Sequence, residues 1–280
     1  MSQPETPAPE PAPRVITLGR AGKKTTLGGR TRVIVPLTGD AASLRSQVAA
    51  LASSRADIAE WRADTFLASL VGSHFVAAAD IQSELTSAAR YVTDASPAPV
   101  LATIRTFVEG GQAYLDDEEY CALVRCLAPL VGAVDVEISR DGAASLIEDA
   151  HGSGALAVAS FHDFEATPSD EVLAEVLAAM NHAGADVLKF ACTATSATDA
   201  ARVLAAQAWA REAYDRPIIG IAMGPAGAPT RLVGSALGSS ATFACLPGWA
   251  GSAPGQFTVE QARAVLDVVE RAGLGARGAE

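Results

Sequence analysis

Residues 156–191, LAVASFHDFEATPSDEVLAEVLAAMNHAGADVLKFA, hold a strand, a helix and a second strand in succession. The run at 156–161 is short and apolar and ends in polar residues, the pattern of a buried strand. Ser169 is placed to cap a helix over 169–183, with an acid shortly after it. The run at 185–191 (ADVLKFA) returns to buried-strand character, with Lys189 near its C-terminal end.

The same alternation extends in both directions. Apolar runs recur at 31–37 (TRVIVPL), 57–61 (DIAEW), 99–104 (PVLATI) and 133–138 (AVDVEI), and again at 217–223 (PIIGIAM) and 241–246 (ATFACL). Helical periodicity occupies 40–54, 117–130, 196–214 and 258–272, with Thr258 as a second candidate cap. Eight strand signals alternating with helices over this length predict an α/β fold, a closed (β/α)8 barrel. An open doubly wound sheet is the other arrangement. No Gly-x-Gly-x-x-Gly follows the first strand, which weakens a dinucleotide-binding reading. Ahead of the barrel, 14–18 and 25–27 flank a Gly/Lys turn and predict a small β-hairpin. Residues 1–13 read as a Pro-rich disordered tail, leaving 14–280 as a single domain.

Lys189 stands out inside its strand. Only three lysines occur, and Lys23 and Lys24 lie in the polar N-terminal segment. Burying an unpaired ammonium opposes its solvation. A desolvated lysine becomes a reactive amine suited to Schiff-base chemistry with a carbonyl. The plainer alternative is a structural lysine reaching past the strand end.

In such a barrel the site lies at the C-terminal ends of the strands. Polar residues do collect there: Glu60-Trp61-Arg62-Ala63-Asp64 after the second run, Thr103-Ile104-Arg105 leading to Glu109-Gly110-Gly111 after the third, and Ser160-Phe161-His162-Asp163 after the fifth. The sixth carries Lys189, and the seventh ends at Met223-Gly224. His74, His151 and His182 fall in helices or loops and read as structural. His162 differs, because it ends the strand before the lysine strand, within reach of it. An imidazole moves protons near neutral pH, and a carboxylate such as Glu109 could orient it. Arg231, beyond the Gly224–Gly227 turn, could clamp a carboxylate or could be a surface salt bridge. Ser252 and Gln256 flank a Pro-Gly turn and offer uncharged hydrogen-bonding groups, or are simply part of that turn.

Composition narrows the function classes. A net charge of -11 argues against nucleic-acid and anionic-membrane surfaces. No apolar run approaches a membrane span, and the first fourteen residues lack a signal-peptide pattern. Cys121, Cys126, Cys192 and Cys245 show no metal or redox spacing and read as reduced thiols of a cytoplasmic protein. No His-x-x-x-His, Cys-x-x-Cys or dense acid cluster points to a metal. The Gly224–Gly227 segment lacks the lysine and spacing of a P-loop.

Taken together, these stretches resemble the type I 3-dehydroquinate dehydratases over nearly all of residues 14–272. Further matches are Phe164 with Thr167-Pro168, Ala241-Thr242-Phe243 and Ser252-Ala253-Pro254-Gly255-Gln256. The resemblance implies a TIM barrel whose bottom is closed by the N-terminal hairpin. It implies Lys189 as Schiff-base lysine, His162 as general acid/base and Glu109 as its acidic partner. It places Glu60, Arg62, Arg105, Met223, Arg231, Phe243, Ser252 and Gln256 at the substrate. The implied reaction is the syn dehydration of 3-dehydroquinate to 3-dehydroshikimate in the shikimate route to aromatic amino acids, without cofactor or metal, in a homodimer. Thr230 stands where a serine commonly precedes the arginine, and the loop 246–251 looks slightly extended. A different Schiff-base barrel, such as an aldolase, would share Lys189 but leave the Glu60/Arg62/Arg105 and Ser252/Gln256 sets unexplained. A catalytically silent barrel that binds a cyclic polyol acid would have no use for the lysine.

Overall fold

The computed structural model describes residues 14–20, 22–73, 78–249, 251–253 and 255–277. The tail expected at 1–13, His74 and Pro254 lie outside them. Two antiparallel strands, β1 (Ile16–Arg20) and β2 (Lys23–Leu27), form the expected hairpin, with Ile16 opposite Leu27. Both strands run closer to the turn than the apolar residues alone suggest, since Gly19-Arg20 and Lys23-Lys24 also pair.

Eight parallel strands follow: β3 (Arg32–Leu37), β4 (Ile58–Arg62), β5 (Val100–Thr103), β6 (Ala133–Glu137), β7 (Leu156–Asp163), β8 (Val187–Thr193), β9 (Ile218–Met223) and β10 (Ala241–Cys245). Each pairs with its neighbour in chain order from β3 to β9, and β10 pairs with β3. The sheet curls until its two ends meet. There Ser240 N donates to Ile218 O at 2.8 Å beside a bridge between Ile218 and Ser239. A two-residue strand, β11 (Phe257–Thr258), adds to β10 outside this ring. The fold is the expected (β/α)8 barrel.

Helices α1 (Ala41–Leu51), α2 (Ala63–Ser73), α3 (Ala78–Ala95), α4 (Asp117–Leu127), α5 (Ala143–Gly152), α6 (Asp170–His182), α7 (Ala197–Ala213) and α8 (Thr230–Val233) connect the strands, and α9 (Val259–Arg277) follows the last of them. Ser169 caps α6 by accepting from Val172 N, and Thr258 and Gln261 cap each other's backbone at the start of α9. The helix expected over 117–130 stops at Leu127 and continues as a 3-10 turn through Pro129, which supplies no N–H to an α-helix.

Side chains alternate across every barrel strand. The outward set, including Val35, Trp61, Ala102, Val134, Val136, Ala159, Leu188 and Phe190, packs under the helices. The inward set begins with an apolar layer: Ile34, Ile58, Leu101, Ala133, Val158, Val187, Ile219 and Ala241. Ile16, Leu18 and Leu27 of the hairpin join that layer from below and close the barrel floor. Lys23 Nζ fastens the hairpin to the carbonyls of Thr93 and Asp94 at 2.8 and 2.7 Å, at the C-terminal end of α3.

Candidate active site

Two residues above the apolar floor, the inward face turns polar. The i, i+2 period carries Ile58 to Glu60 and Arg62, Leu101 to Thr103, Ala133 to Asp135 and Glu137, Val158 to Ser160 and His162, and Val187 to Lys189. Side chains from these strands and the following loops converge on one open cleft, with Asp135, Glu137 and Ser160 buried behind its lining. All eleven residues expected at the site line it: Glu60, Arg62, Arg105, Glu109, His162, Lys189, Met223, Arg231, Phe243, Ser252 and Gln256.

Lys189 is 3% exposed. It is not near the end of its strand, because Ala191, Cys192 and Thr193 go on pairing with β9 and extend β8 beyond the apolar run. The amine is buried but not left without partners. Nζ lies 3.0 Å from Asp135 Oδ2 and 3.7 Å from Glu60 Oε1, and 5.0 Å from the Phe243 ring centroid. Two carboxylates and an aromatic face thus replace the lost solvation.

His162 Nδ1 is 2.9 Å from Glu109 Oε2. The ring is held as a neutral imidazole, its pKa well below the usual value, by burial first and then by the charges of Arg105, Lys189 and Arg62. A neutral ring that donates from Nδ1 to the carboxylate leaves Nε2 as its basic nitrogen. Glu109 rides on a 3-10 turn at Phe107–Glu109 just past β5, and Ser139 Oγ donates to its other oxygen at 2.8 Å. Burial raises the Glu109 carboxyl to about 7, against the pull of Arg105.

Arg105 ties these groups together. Nη1 donates to Glu109, Glu137 and Ser160 at 3.0, 2.9 and 3.1 Å, and Nη2 donates to Asp135 at 2.6 Å. Glu137 is held further by the backbone N–H and hydroxyl of Thr106. At the rim, Asp64 grips Arg62 through two bonds of 2.8 and 2.7 Å. Arg231 on α8 is buried in the cleft rather than lying on the surface, and burial lowers its guanidinium to about 10. Ser252 and Gln256 bond to each other: Ser252 N donates to Gln256 Oε1, and Gln256 Nε2 to Ser252 Oγ, both at 3.1 Å.

Asp135 and Glu137 escaped the sequence reading. Their signal was present in the run AVDVEI, where two acids spaced by two residues must share one face of an otherwise apolar strand.

A (β/α)8 barrel with a paired lysine, a neutral histidine and a carboxylate at the C-terminal ends of its strands belongs to the barrel enzymes. Residues 33–272 match the family model for type I 3-dehydroquinase. The 3-dehydroquinate dehydratase of Klebsiella pneumoniae is 35% identical over 247 residues, 86% of this chain and 94% of its own. The crystal structure of the Geobacillus kaustophilus 3-dehydroquinate dehydratase superposes with a TM-score of 0.83 at 29% identity, covering 94% of this chain and 98% of that one. The type I enzyme of Clostridium difficile, solved with a covalent modified comenic acid, gives 0.78 at 30% identity, covering 93% and 99%. The chain belongs to the type I 3-dehydroquinase family and is a hydro-lyase.

Proposed function

We propose that the protein converts 3-dehydroquinate to 3-dehydroshikimate through an imine on Lys189, in the shikimate route to aromatic amino acids. The observation that carries this reading is a buried Lys189 and a half-buried, neutral His162 lining one cleft, with His162 oriented by Glu109. Lys189 Nζ attacks the C3 ketone, and loss of water leaves an iminium that acidifies the proton on C2. His162 Nε2 removes that proton, and the electron pair moves through the enamine toward nitrogen. The enamine then expels the C1 hydroxyl, which leaves as water with the proton returned by His162. One imidazole serving both transfers requires C2–H and C1–OH on the same ring face, hence syn elimination. Hydrolysis of the conjugated iminium releases the product and restores the lysine.

Arg231 clamps the substrate carboxylate in this reading, because it is a buried guanidinium at the cleft. Glu60, Arg62, Ser252 and Gln256 meet the hydroxyls, while Met223 and Phe243 line the apolar side of the ring. Arg105 acts chiefly by fixing Asp135, Glu137 and Glu109, since both its terminal nitrogens are already engaged by them. By the same family reading the enzyme is a cytoplasmic homodimer that needs no cofactor.

The test is turnover of 3-dehydroquinate, followed by the conjugated-enone absorbance and by a mass loss of one water. The purified chain should convert it, and His162→Ala should lower kcat by roughly 10²–10⁴-fold. Full turnover by His162→Ala would remove the histidine from the mechanism. Cleavage of a ketose phosphate without dehydration would favour an aldolase.

A further inference from the structure

Asp135 takes no part in the proton transfers given to His162, yet it is fully buried and lies nearer to Lys189 than Glu60 does. The two residues stand on β6 and β8, with β7 between them, and Ser160 of β7 is paired in register with Lys189. Asp135 Oδ2 faces Nζ at 3.0 Å, while Oδ1 accepts from Arg105 Nη2 and from Ser160 Oγ, each at 2.6 Å. One oxygen is therefore used for anchoring and the other is reserved for the lysine nitrogen.

Building on the imine reading, we infer that Asp135 is the counterion of the Lys189 iminium and keeps the imine protonated throughout the elimination. Condensation of the ammonium with a ketone forms C=N, breaks C=O and releases one water. Two of the three ammonium protons leave with the oxygen and one stays on nitrogen. The nitrogen is cationic at both ends of that step, so a carboxylate placed for the ammonium is equally placed for the iminium. A neutral imine draws electrons from C2 poorly. A fixed anion beside it opposes loss of the last proton. Asp135 stays anionic for this role: despite burial, Arg105, Lys189 and the Ser160 hydroxyl hold its carboxyl down at about 2.

The other charged groups around the lysine are Glu60 from β4, Arg62 at the end of that strand, Arg105 beyond β5, and Glu137 from β6. His162 from β7, Glu109 from its 3-10 turn and Arg231 on α8 complete the set. Glu60 is the one other carboxylate within ion-pair reach of Nζ among the described residues, and Thr103 already donates to the same Oε1. Replacing Asp135 therefore removes the main anion, and replacing Glu60 removes a lesser one.

Asp135→Asn, which preserves shape, is compared with Glu60→Gln and the unmodified enzyme for kcat against pH. Cyanoborohydride trapping on 3-dehydroquinate runs in parallel, because this reductant takes the iminium and spares the neutral imine. Asp135→Asn should move the alkaline limb of kcat, and of adduct yield, down by roughly one to three pH units, with Glu60→Gln moving it less. An unmoved alkaline limb in Asp135→Asn, with adduct still mapped to Lys189, overturns the counterion alone. Absence of any adduct in the unmodified enzyme overturns the imine itself. Should Asp135→Asn not fold, the unmodified enzyme decides against the free imine of Nα-acetyl-lysine. Trapping should persist above the pH at which the free imine loses its proton, and coincident titrations would contradict the assignment.

Discussion

At the scale of single residues, the Glu109–His162 pair sets the acid side of the activity. The carboxyl, raised to about 7 by burial, takes a proton before the imidazole, which is held well below its usual range. Below about 7 the protonated Glu109 donates to Nδ1 and moves the ring proton to Nε2, the nitrogen needed as base. The charged form of Glu109 is the active one, so activity is present above about 7 and is lost as pH falls through it. A pH profile of kcat/KM should therefore show an acid limb near 7 that Glu109→Gln, which cannot titrate, removes along with part of the rate. An acid limb surviving unchanged in Glu109→Gln would assign it to another group. Most residues found from sequence here follow an apolar run, where the change to charge is visible, and Lys189 was visible because its charge interrupts one. Asp135 was hidden because it lies inside β6, and Glu137 because Ile138 follows it and prolongs the apolar run past the last strand residue.

At the scale of elements, the loop after β5 carries both Arg105 and Glu109, and glycine allows it to fold back. A Cβ on Gly111 would sit 2.0 Å from the Arg105 carbonyl oxygen, a contact no backbone tolerates. Gly110 adopts φ 76°, and a Cβ there would strike the Phe164 ring at 2.4 Å. Gly111→Ala should displace Arg105, lower kcat/KM by at least about tenfold, and leave the circular-dichroism spectrum of the barrel intact. Wild-type kinetics in this variant would show that the loop's close approach is dispensable. The motif Glu109-Gly110-Gly111 was legible as a cluster, whereas its 3-10 turn was not. Similarly, β4 passes straight from Arg62 into α2 at Ala63, with no Gly or Pro to mark the boundary, so that helix left no punctuation to read.

At the scale of the whole molecule, the floor and the site occupy opposite ends of one barrel. The inward face is apolar below and ionic above, so stability and chemistry can be separated by mutation. Leu18, 1% exposed, fills the floor from the hairpin. Leu18→Ala should cost about 2–5 kcal/mol and lower the melting temperature, with kcat/KM unchanged at a temperature where the variant is folded. A parallel loss of activity in that folded variant would mean that the hairpin communicates with the cleft. The barrel itself was readable because its strands are short apolar runs at regular intervals with helices between. The closure of β9 on β10 rests on a single bridge between Ile218 and Ser239, so the eight-strand count carried that expectation and no residue at the seam did.

The central claim is that Lys189 forms a covalent imine with the substrate ketone. It is tested most directly by incubating the protein with 3-dehydroquinate and borohydride and mapping the modified peptide by mass spectrometry. A reduced adduct on Lys189, absent from Lys189→Ala, is the predicted result. Turnover without any adduct on Lys189, or an adduct on another residue, would contradict it.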